Sequence, residues 1–328
     1  MDYLMHVPGL ATALTPIVHG EPPEQNARKS NFSALRRISY YVRGRDRDIV
    51  GLPVVSGNAV RGMTRRRFIG RTMEILEAYN LDQHVAYWLL AGGATERESA
   101  SIGGPEFRKE LRQNLPFMDL LGGSLRGCFL AGRLRVGFMI PATQETAEAD
   151  RDLAELIPAE EKKLLPTIWE LNQAISNRPV RLTRYDDGPA AGGEDEAGRE
   201  SGRMIYAAEA FPANTLFGHY FNLLGDGNEL VENALWAFVE CWLSRGEVGG
   251  WHAKGFGRVE ARYWLEGEPL TRAWIKERAD RYWKWLEDNK AKVRAYLEEL
   301  GPRTGRMAKE AADRKARAKA KEAGTEPA

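Results

Sequence analysis

Two different spacings of hydrophobic positions run along this chain, and they separate predicted strands from predicted helices. In residues 259–263 the apolar positions Val259, Ala261 and Tyr263 alternate with charged positions, which predicts a strand with one buried face. In residues 229–246 an amphipathic helical pattern ends at Gly246. Further strands are predicted in residues 7–19, 38–44, 125–141 and 213–224, and further helices in residues 59–80, 81–93, 105–114, 143–175 and 270–300.

The order of these elements predicts an α+β fold. Without insertions it is strand, helix, strands, helix, strand, which is compatible with a ferredoxin-like (RRM-like) antiparallel sheet core. Residues 177–203 have two strand-like arms around a tip of Gly, Ala, Asp and Glu that cannot pack a core, which predicts a projecting β-hairpin. The predicted organisation is a core at 1–268 with a helical insertion at about 80–118 and the hairpin at about 165–210, a C-terminal helix at 269–300, and a basic tail at 301–328 that is disordered or a frayed helix.

Composition excludes several classes of protein. A chain of 328 residues with 43% hydrophobic residues can bury a sizeable core. Cys128 and Cys241 lie far apart in apolar surroundings, which predicts buried thiols in a reducing compartment. No zinc-binding spacing occurs, so we expect neither a metal nor a cofactor. The chain opens without a signal-peptide pattern and has no apolar run near the length of a membrane span, so we expect a cytoplasmic protein.

The net charge of +1 conceals an uneven distribution. Residues 26–71 contain twelve Lys or Arg and only two acids, Asp46 and Asp48, whereas acids dominate residues 144–200. A basic segment of this density suits a phosphate-bearing partner. The alternative is a solvated basic face.

A first glycine motif occupies residues 57–64 (GNAVRGMT). Its glycine spacing is that of a P-loop, but Met63 stands where a P-loop needs Lys to reach the terminal phosphates, so we exclude nucleotide hydrolysis. The motif still predicts a glycine turn that leads into a helix, and free N–H groups at a helix N-terminus favour a phosphate. From this segment alone, a solvated basic face without a ligand is an equally supported interpretation. The arginines on the first turns of this helix are Arg61, Arg65, Arg66 and Arg67.

A second glycine-rich segment, GGWHAKGFGRVEARYW, covers residues 249–264. A strand follows it rather than a helix, so it is not a dinucleotide-binding fingerprint. It is either a hairpin turn or a backbone that another molecule approaches closely, with Lys254 and Arg258 beside it. Its glycines are Gly249, Gly250, Gly255 and Gly257.

No catalytic constellation is evident in the sequence. No GxSxG motif brackets a nucleophile, and Asp186 and Asp187 lie at the hairpin tip, where chemistry would be poorly positioned. His19, at the end of the first predicted strand, is the one candidate for a general base. A strand-end histidine without catalytic function is the simpler interpretation.

Three segments resemble motifs of the RAMP superfamily. GLPVVSGNAVRGMTRR resembles its first glycine motif, in which a Pro-containing strand runs into GSSLKGxxR and a helix. AEAFPANTLFGHYFNLL resembles its strand with a Pro-x-x-Thr-x-Phe centre, and GGWHAKGFGRVEARYW resembles its C-terminal glycine loop and strand. The resemblance covers roughly residues 7–265. The matching positions are Gly57, Asn58, Arg61, Gly62, Arg65, Pro212, Thr215 and Phe217.

Within the superfamily the chain most resembles the repeated backbone subunit of multisubunit CRISPR effector complexes, in its type IV version. The resemblance implies copies that stack head to tail along a guide RNA, with the hairpin as a thumb across the guide. It also implies a large subunit, a cap subunit, a processing nuclease and a target nucleic acid, expected to be DNA, as partners. The implied RNA-binding residues are Arg28, Lys29, Arg36, Arg37, Gly57, Asn58, Arg61, Arg65, Arg66, Lys254 and Arg258, and the implied thumb residues are Asn177, Arg178, Arg181, Arg184, Tyr185 and Met204.

One departure from the family pattern bears on catalysis. Related type III subunits cleave target RNA with an Asp in the loop after the first strand, but residues 21–37 contain no Asp here, and Glu21 and Glu24 match no motif. We therefore expect a non-catalytic scaffold. Two alternatives remain: a RAMP-family endoribonuclease, with Asp46 or Asp48 as the residues to suspect, and a protein-interaction module without nucleic acid, against which the basic segment argues.

Overall fold

The structure is a computed structural model that describes residues 3–20, 32–41, 49–93, 102–184, 204–225 and 228–322. The strands are β1 (Tyr3–Ala13), β2 (Phe32–Ser33), β3 (Arg37–Tyr41), β4 (Ile49–Pro53), β5 (Gly123–Leu125), β6 (Cys128–Leu130), β7 (Leu134–Val136), β8 (Ile140–Pro141), β9 (Val180–Arg184), β10 (Met204–Ala208), β11 (Leu216–Leu224), β12 (Val259–Leu265) and β13 (Glu268–Pro269). The helices are α1 (Gly57–Leu76), α2 (Gln83–Ala91), α3 (Pro105–Asn114), α4 (Pro116–Leu121), α5 (Gln144–Ala149), α6 (Arg151–Leu156), α7 (Ala159–Lys162), α8 (Ile168–Asn177), α9 (Glu229–Arg245), α10 (Arg272–Asp288) and α11 (Lys290–Glu322).

The central sheet is antiparallel and has the strand order β13-β12-β1-β11-β7, with β8 also paired to β11. Along the chain α1 lies between β1 and β7, and α9 lies between β11 and β12. The core elements therefore follow the strand-helix-strand-strand-helix-strand order on which the ferredoxin-like expectation rests. The predicted α+β class is confirmed.

Helices α1 and α9 cover one face of this sheet, and α10 and α11 pack behind them. The Phe238 ring of α9 lies 6.1 Å from Phe221 of β11 and 5.9 Å from Phe68 of α1, centroid to centroid. Behind this layer the Tyr282 ring of α10 stacks on Phe68 at 5.6 Å. Aromatic residues of the C-terminal helix α10 thus belong to the core.

The opposite face of the sheet carries α5 and α6, which belong to the predicted acidic insertion. Leu153 of α6 packs so closely on Gly218 of β11 that a side-chain carbon there would lie 2.7 Å from Leu153 Cδ2. His6 of β1 adds a polar contact, because its Nδ1 lies 2.6 Å from Asn222 Oδ1 and its Nε2 lies 3.0 Å from an Asp152 carboxylate oxygen. The insertion therefore covers part of the face that α1 and α9 leave open.

The predicted hairpin is present as its two arms. β9 and β10 pair antiparallel from Val180↔Ala208 to Arg184↔Met204, and β2 pairs parallel with β10. The hairpin tip, residues 185–203, lies outside the described residues.

Residues 301–328 were predicted to be disordered or a frayed helix, and the described part of them is helical. α11 continues to Glu322 and includes Pro302. Leu300 and Thr304 are buried against the body, and this packing carries the helix through the proline. The following residues are mainly Ala, Lys, Arg and Glu, which have high helix propensity.

Two expectations from composition can be compared with the fold. Cys128 and Cys241 are both buried and free, as predicted, and burial raises the pKa of the Cys241 thiol to about 12. None of the helices in the described residues is long and apolar enough to cross a bilayer.

Candidate nucleic-acid interface

Residues 14–20, which we call the junction segment, bring two distant motifs together. Although the strand pattern was predicted to run to residue 19, β1 ends at Ala13, and the junction segment continues as irregular backbone. Ile17 and Phe211 exchange backbone hydrogen bonds of 3.0 and 2.9 Å, which fixes the start of the Pro-x-x-Thr-x-Phe segment. Gly250 donates its N–H to the Val18 carbonyl at 2.7 Å, which fixes the glycine loop.

The same segment contacts the first glycine motif through His19. The backbone N–H of Ser56 donates to His19 Nε2 at 3.2 Å, and the Ser56 side chain caps α1 by accepting from the Ala59 N–H at 3.3 Å. Burial and the neighbouring Arg36 lower the pKa of His19, which keeps the imidazole neutral as this bond requires. The lone pair that a general base would use is therefore occupied by a backbone donor.

The glycines of the first motif have different roles. A side-chain carbon at Gly57 would lie 2.1 Å from the Val136 carbonyl oxygen, so the close contact between α1 and the end of β7 requires glycine. A side-chain carbon at Gly62 would meet no atom within 4 Å. Asn58 is exposed beside the helix N-terminus, and the first turn holds no acid. Gly57 thus serves the fold, whereas Gly62 leaves open space on the helix surface.

Arg65, a predicted RNA contact, is instead a buried part of the fold. Its Nε donates to the Leu89 carbonyl at 2.7 Å and its Nη2 to the Trp88 carbonyl at 2.6 Å, so it satisfies carbonyls at the C-terminal end of α2. Burial and the nearby Arg61 lower its pKa to about 10. Helical spacing placed Arg61 and Arg65 on one face, but the tertiary structure turns that face toward α2 and α4.

The other arginines of α1 divide between the body and the solvent. Arg61 is half-buried and donates to the Leu121 carbonyl, and burial together with Arg135 lowers its pKa. Arg67 pairs with Glu247. Arg66 is exposed, and its Nε donates only to the Gly62 carbonyl of its own helix, at 3.3 Å. Of the arginines predicted here, Arg66 is the one that faces solvent.

Two glycines of the second motif are needed because the loop packs closely on its own chain. A side-chain carbon at Gly249 would lie 2.3 Å from the Val18 carbonyl oxygen, and one at Gly257 would lie 2.1 Å from the Val248 carbonyl oxygen. Both glycines also have φ above +80°. Gly255 shares the positive φ but has no atom within 4 Å of the same position.

Both cations of this loop are exposed. Lys254 lies over the Trp251 ring, with Nζ 5.7 Å from the ring centroid. Arg258 is anchored by its backbone, because its N–H donates to Thr15 Oγ1 at 3.0 Å while the residue itself stays exposed. Arg258 is therefore not a core residue.

The base of the hairpin lies beside this loop. Trp251 and Phe256 of the loop pack with Ala208 at the end of β10, and Arg178 and Arg181 at the start of the hairpin are exposed. A groove of about 530 Å³, which the sequence did not indicate, opens at this base. Its lining includes Pro16, Asn177, Arg178, Phe211 and Pro212.

Arg37 holds the hairpin to the body rather than facing solvent freely. It pairs with buried Glu209 at 2.7 Å, and Leu35 N–H donates to the same carboxylate at 2.9 Å. Burial alone would raise the pKa of Glu209, but the hydrogen bonds from Arg37, Leu35 and Ser176 outweigh it and the pKa is lowered. Sequence reasoning missed Glu209, although a lone acid in the apolar run AAEAF is a usable signal.

Arg36, a predicted RNA contact, is half-buried next to His19. Several other residues that the sequence singled out lie outside the described residues. Among the described residues no group of three or more His, Cys, Asp or Glu is arranged to hold a metal. The backbones of Arg184 and Met204 lie in the hairpin arms. The residues outside the described ranges are Glu21, Glu24, Arg28, Lys29, Asp46, Asp48, Tyr185, Asp186 and Asp187.

Comparison with known proteins yields similarity in fold. No family model and no curated protein sequence matches this chain. The fold is similar to that of a chain in a solved structure described as a type IV-B CRISPR complex, with a TM-score of 0.52 and 20% sequence identity. The similarity covers 83% of this chain and 98% of the other.

Proposed function

We propose that this protein is the repeated backbone subunit of a type IV-like CRISPR effector complex, and that it binds guide RNA without reading its sequence. The observation that carries the proposal is the junction segment, where three motifs that resemble the RAMP superfamily meet through Phe211, Gly250 and Ser56. The similarity to a chain of a type IV-B CRISPR complex supports it. The further partners would be a large subunit, a cap subunit, a processing nuclease and target DNA.

The exposed cations around the junction segment provide the chemistry for the RNA backbone. Arg178 and Arg181 at the hairpin base, and Lys254 and Arg258 in the glycine loop, suit phosphate contacts. The N-terminus of α1 adds backbone N–H groups and a favourable dipole beside Asn58. Phosphate contacts position an RNA without specifying its bases, which leaves sequence recognition to pairing between guide and target.

We propose a scaffold rather than a nuclease. His19 accepts the Ser56 N–H, so the one histidine considered as a base at this site supports the fold. Copies would stack head to tail, and the hairpin of each copy would lie across the guide as a thumb.

Purification with a matching CRISPR array tests this function. We expect discrete RNA of guide length in a large, nuclease-resistant particle. The triple variant Arg178→Ala/Arg181→Ala/Lys254→Ala is expected to lose RNA. The matched control is Lys276→Ala/Arg281→Ala/Lys284→Ala, which removes three exposed cations of α10 behind the helical layer and is expected to retain it.

Two outcomes contradict the proposal. If the purified protein is a monomer without nucleic acid and does not bind guide RNA at low salt, the glycine loop has only a structural role. Cleavage of guide or target RNA by the purified protein, assayed with and without divalent metal, would favour the endoribonuclease alternative.

A further inference from the structure

The segment from α5 to the first turn of α8 forms an acidic surface on one side of the sheet. Residues 144–170 contain eight Asp or Glu and three Lys or Arg. Leu153 fixes this segment to the sheet through its contact with Gly218. The surface therefore carries a fixed excess of negative charge.

Two large hydrophobic side chains stand exposed within this acidic surface. Leu164 is 85% exposed and Trp169 is 65% exposed, on either side of the turn that joins α7 to α8. Apolar side chains this exposed on one short segment suit a contact with another protein. We call Glu160, Glu161, Leu164, Trp169 and Glu170 the acidic patch.

The charge and the exposed apolar side chains of the acidic patch indicate which class of partner it can bind. Lys162 and Lys163 lie in the same stretch as the three carboxylates, but the eight acids and three cations of residues 144–170 leave the surface net negative, which disfavours a nucleic acid. A basic protein helix does fit, because cations can pair with the carboxylates while apolar side chains or alkyl stems cover Trp169 and Leu164.

This chain itself carries such a helix at its C-terminus. The last residues of α11 that pack against the core include Met307, Ala308 and Ala311. Residues 312–317 are exposed and helical, and they contain Arg314, Lys315 and Arg317. A helix that leaves the body gains no stability from tertiary packing, so this part of α11 is placed to pack on something else. We call residues 312–322 the basic arm.

The acidic patch and the basic arm belong to elements on opposite sides of the molecule. Leu165, which lies between α7 and α8 within the same stretch as the acidic patch, packs in one cluster with Leu153 of α6, Leu10 of β1 and Leu216 of β11, on the face of the central sheet that α5 and α6 cover. α11 packs behind α1 and α9, which cover the other face. Two complementary surfaces on opposite sides join one copy to the next in a heterologous contact that does not close on itself.

We propose that the basic arm of one copy docks on the acidic patch of the neighbouring copy. This inference rests on the proposed head-to-tail assembly and names the surfaces that carry it. Arg314 and Arg317, three residues apart on one helical face, pair with Glu160 and Glu161, and Trp169 packs against the arm.

A charge swap on the full-length protein tests the pairing. The variants Glu160→Lys/Glu161→Lys and Arg314→Glu/Arg317→Glu are each expected to raise the protein concentration needed for assembly on a long guide RNA by at least about tenfold. Their combination is expected to restore assembly to within about threefold of the parent protein. Sedimentation velocity in the presence of guide RNA measures the assembly. The matched control is Glu266→Lys/Glu268→Lys, which makes the same charge change at the β12–β13 turn.

Binding of one copy to a short RNA separates this inference from the proposed function. We expect all these variants to bind short RNA as the parent protein does, so a failure of RNA binding by the parent protein itself would count against the proposed function alone. The docking proposal is overturned if the combined variant assembles no better than either reversal. It is also overturned if Arg314→Glu/Arg317→Glu loses short-RNA affinity without losing assembly. Trp169→Ala should weaken assembly, whereas Tyr79→Ala, which removes a 70% exposed tyrosine elsewhere, should not.

Discussion

The backbone N–H of Ser56 lies 3.2 Å from His19 Nε2, and this hydrogen bond joins the junction segment to the start of α1. Because Ser56 also caps the helix, His19 orients the N-terminus at which we place a phosphate. The histidine thus acts on the candidate interface through position rather than through proton transfer.

Replacing His19 tests that role. In His19→Ala the Ser56 N–H loses its acceptor, and we expect a loss of about 1–2 kcal/mol in the free energy of unfolding. His19→Gln, which offers a carbonyl acceptor, should recover part of it. Urea unfolding measures the stability, and an RNA cleavage assay run in parallel shows whether the parent protein has any activity for the variant to lose. Cleavage by the parent protein that His19→Ala abolishes would contradict the positioning role.

Neighbouring arginines of α1 should respond differently to alanine. Arg65→Ala leaves the Leu89 carbonyl without the Arg65 donor and the Trp88 carbonyl with only the Gly92 N–H, and it should cost about 2–3 kcal/mol of unfolding free energy. Arg66→Ala, on the exposed side, should change stability by less than about 0.5 kcal/mol. It should also lower the salt dependence of guide RNA binding by about one unit of slope. Equal stability losses in the two variants would show that the burial of Arg65 is not maintained in solution.

Two glycines of α1 lie on open parts of the helix surface, where a ligand could approach. Gly62 and Gly70 both lack neighbours within 4 Å, so alanine at either position should stabilise the helix by about 0.5–1 kcal/mol. We expect Gly62→Ala, near the helix N-terminus, to weaken guide RNA binding, and Gly70→Ala, two turns further on, to leave it unchanged. Thermal unfolding and RNA titration measure the two effects. Unaltered RNA affinity in Gly62→Ala would mean that RNA does not approach this turn.

The interactions of His6 should make the folded protein less stable at high pH. Burial lowers its pKa, but the hydrogen bonds to Asn222 and Asp152 outweigh burial, and the pKa lies above its usual value. Both ring nitrogens face oxygen acceptors, which favours the protonated ring. The contribution is therefore complete below the unfolded pKa of about 6.5 and is lost as pH rises through the folded pKa.

The variant His6→Ala measures this contribution. Because the His6 side chain is 41% exposed, we expect it to be less stable than the parent protein by only about 0.5–1 kcal/mol at pH 6. The difference should shrink at pH 9, as followed by urea unfolding at both pH values. A difference that grows with pH would contradict the protonated state of His6.

Burial of His219 should have the opposite effect and lower the stability of the folded protein in acid. This residue of β11 is buried between the sheet and α9 with its Nδ1 2.9 Å from the Tyr263 hydroxyl, and burial lowers its pKa to about 3. Between pH 6.5 and 3 the unfolded chain binds a proton that the folded chain does not, so stability falls as pH falls, by at most about 1.4 kcal/mol per pH unit. His219→Gln removes this titration, and we expect a shallower decline of the unfolding free energy between pH 6 and 4.5. An unchanged slope would show that other groups dominate acid unfolding.

The sequence determined the fold class and the glycine motifs, because both depend on local patterns. Alternation in residues 259–263 and helical spacing in residues 59–80 reflect one buried face of each element, so periodicity was enough to predict a strand and a helix. The helix end at Gly246 was likewise readable, since caps depend on a few adjacent residues.

Only the tertiary structure decided which way charged faces turn and which distant segments meet. Spacing placed Arg61 and Arg65 on one helical face, but it carries no information about whether that face meets RNA or the carbonyls at the end of α2. The contacts of Phe211 with Ile17 and of Gly250 with Val18 join backbone segments that lie about two hundred residues apart in the sequence. Long-range contacts of this kind follow from the packing of the whole chain, which local pattern does not record.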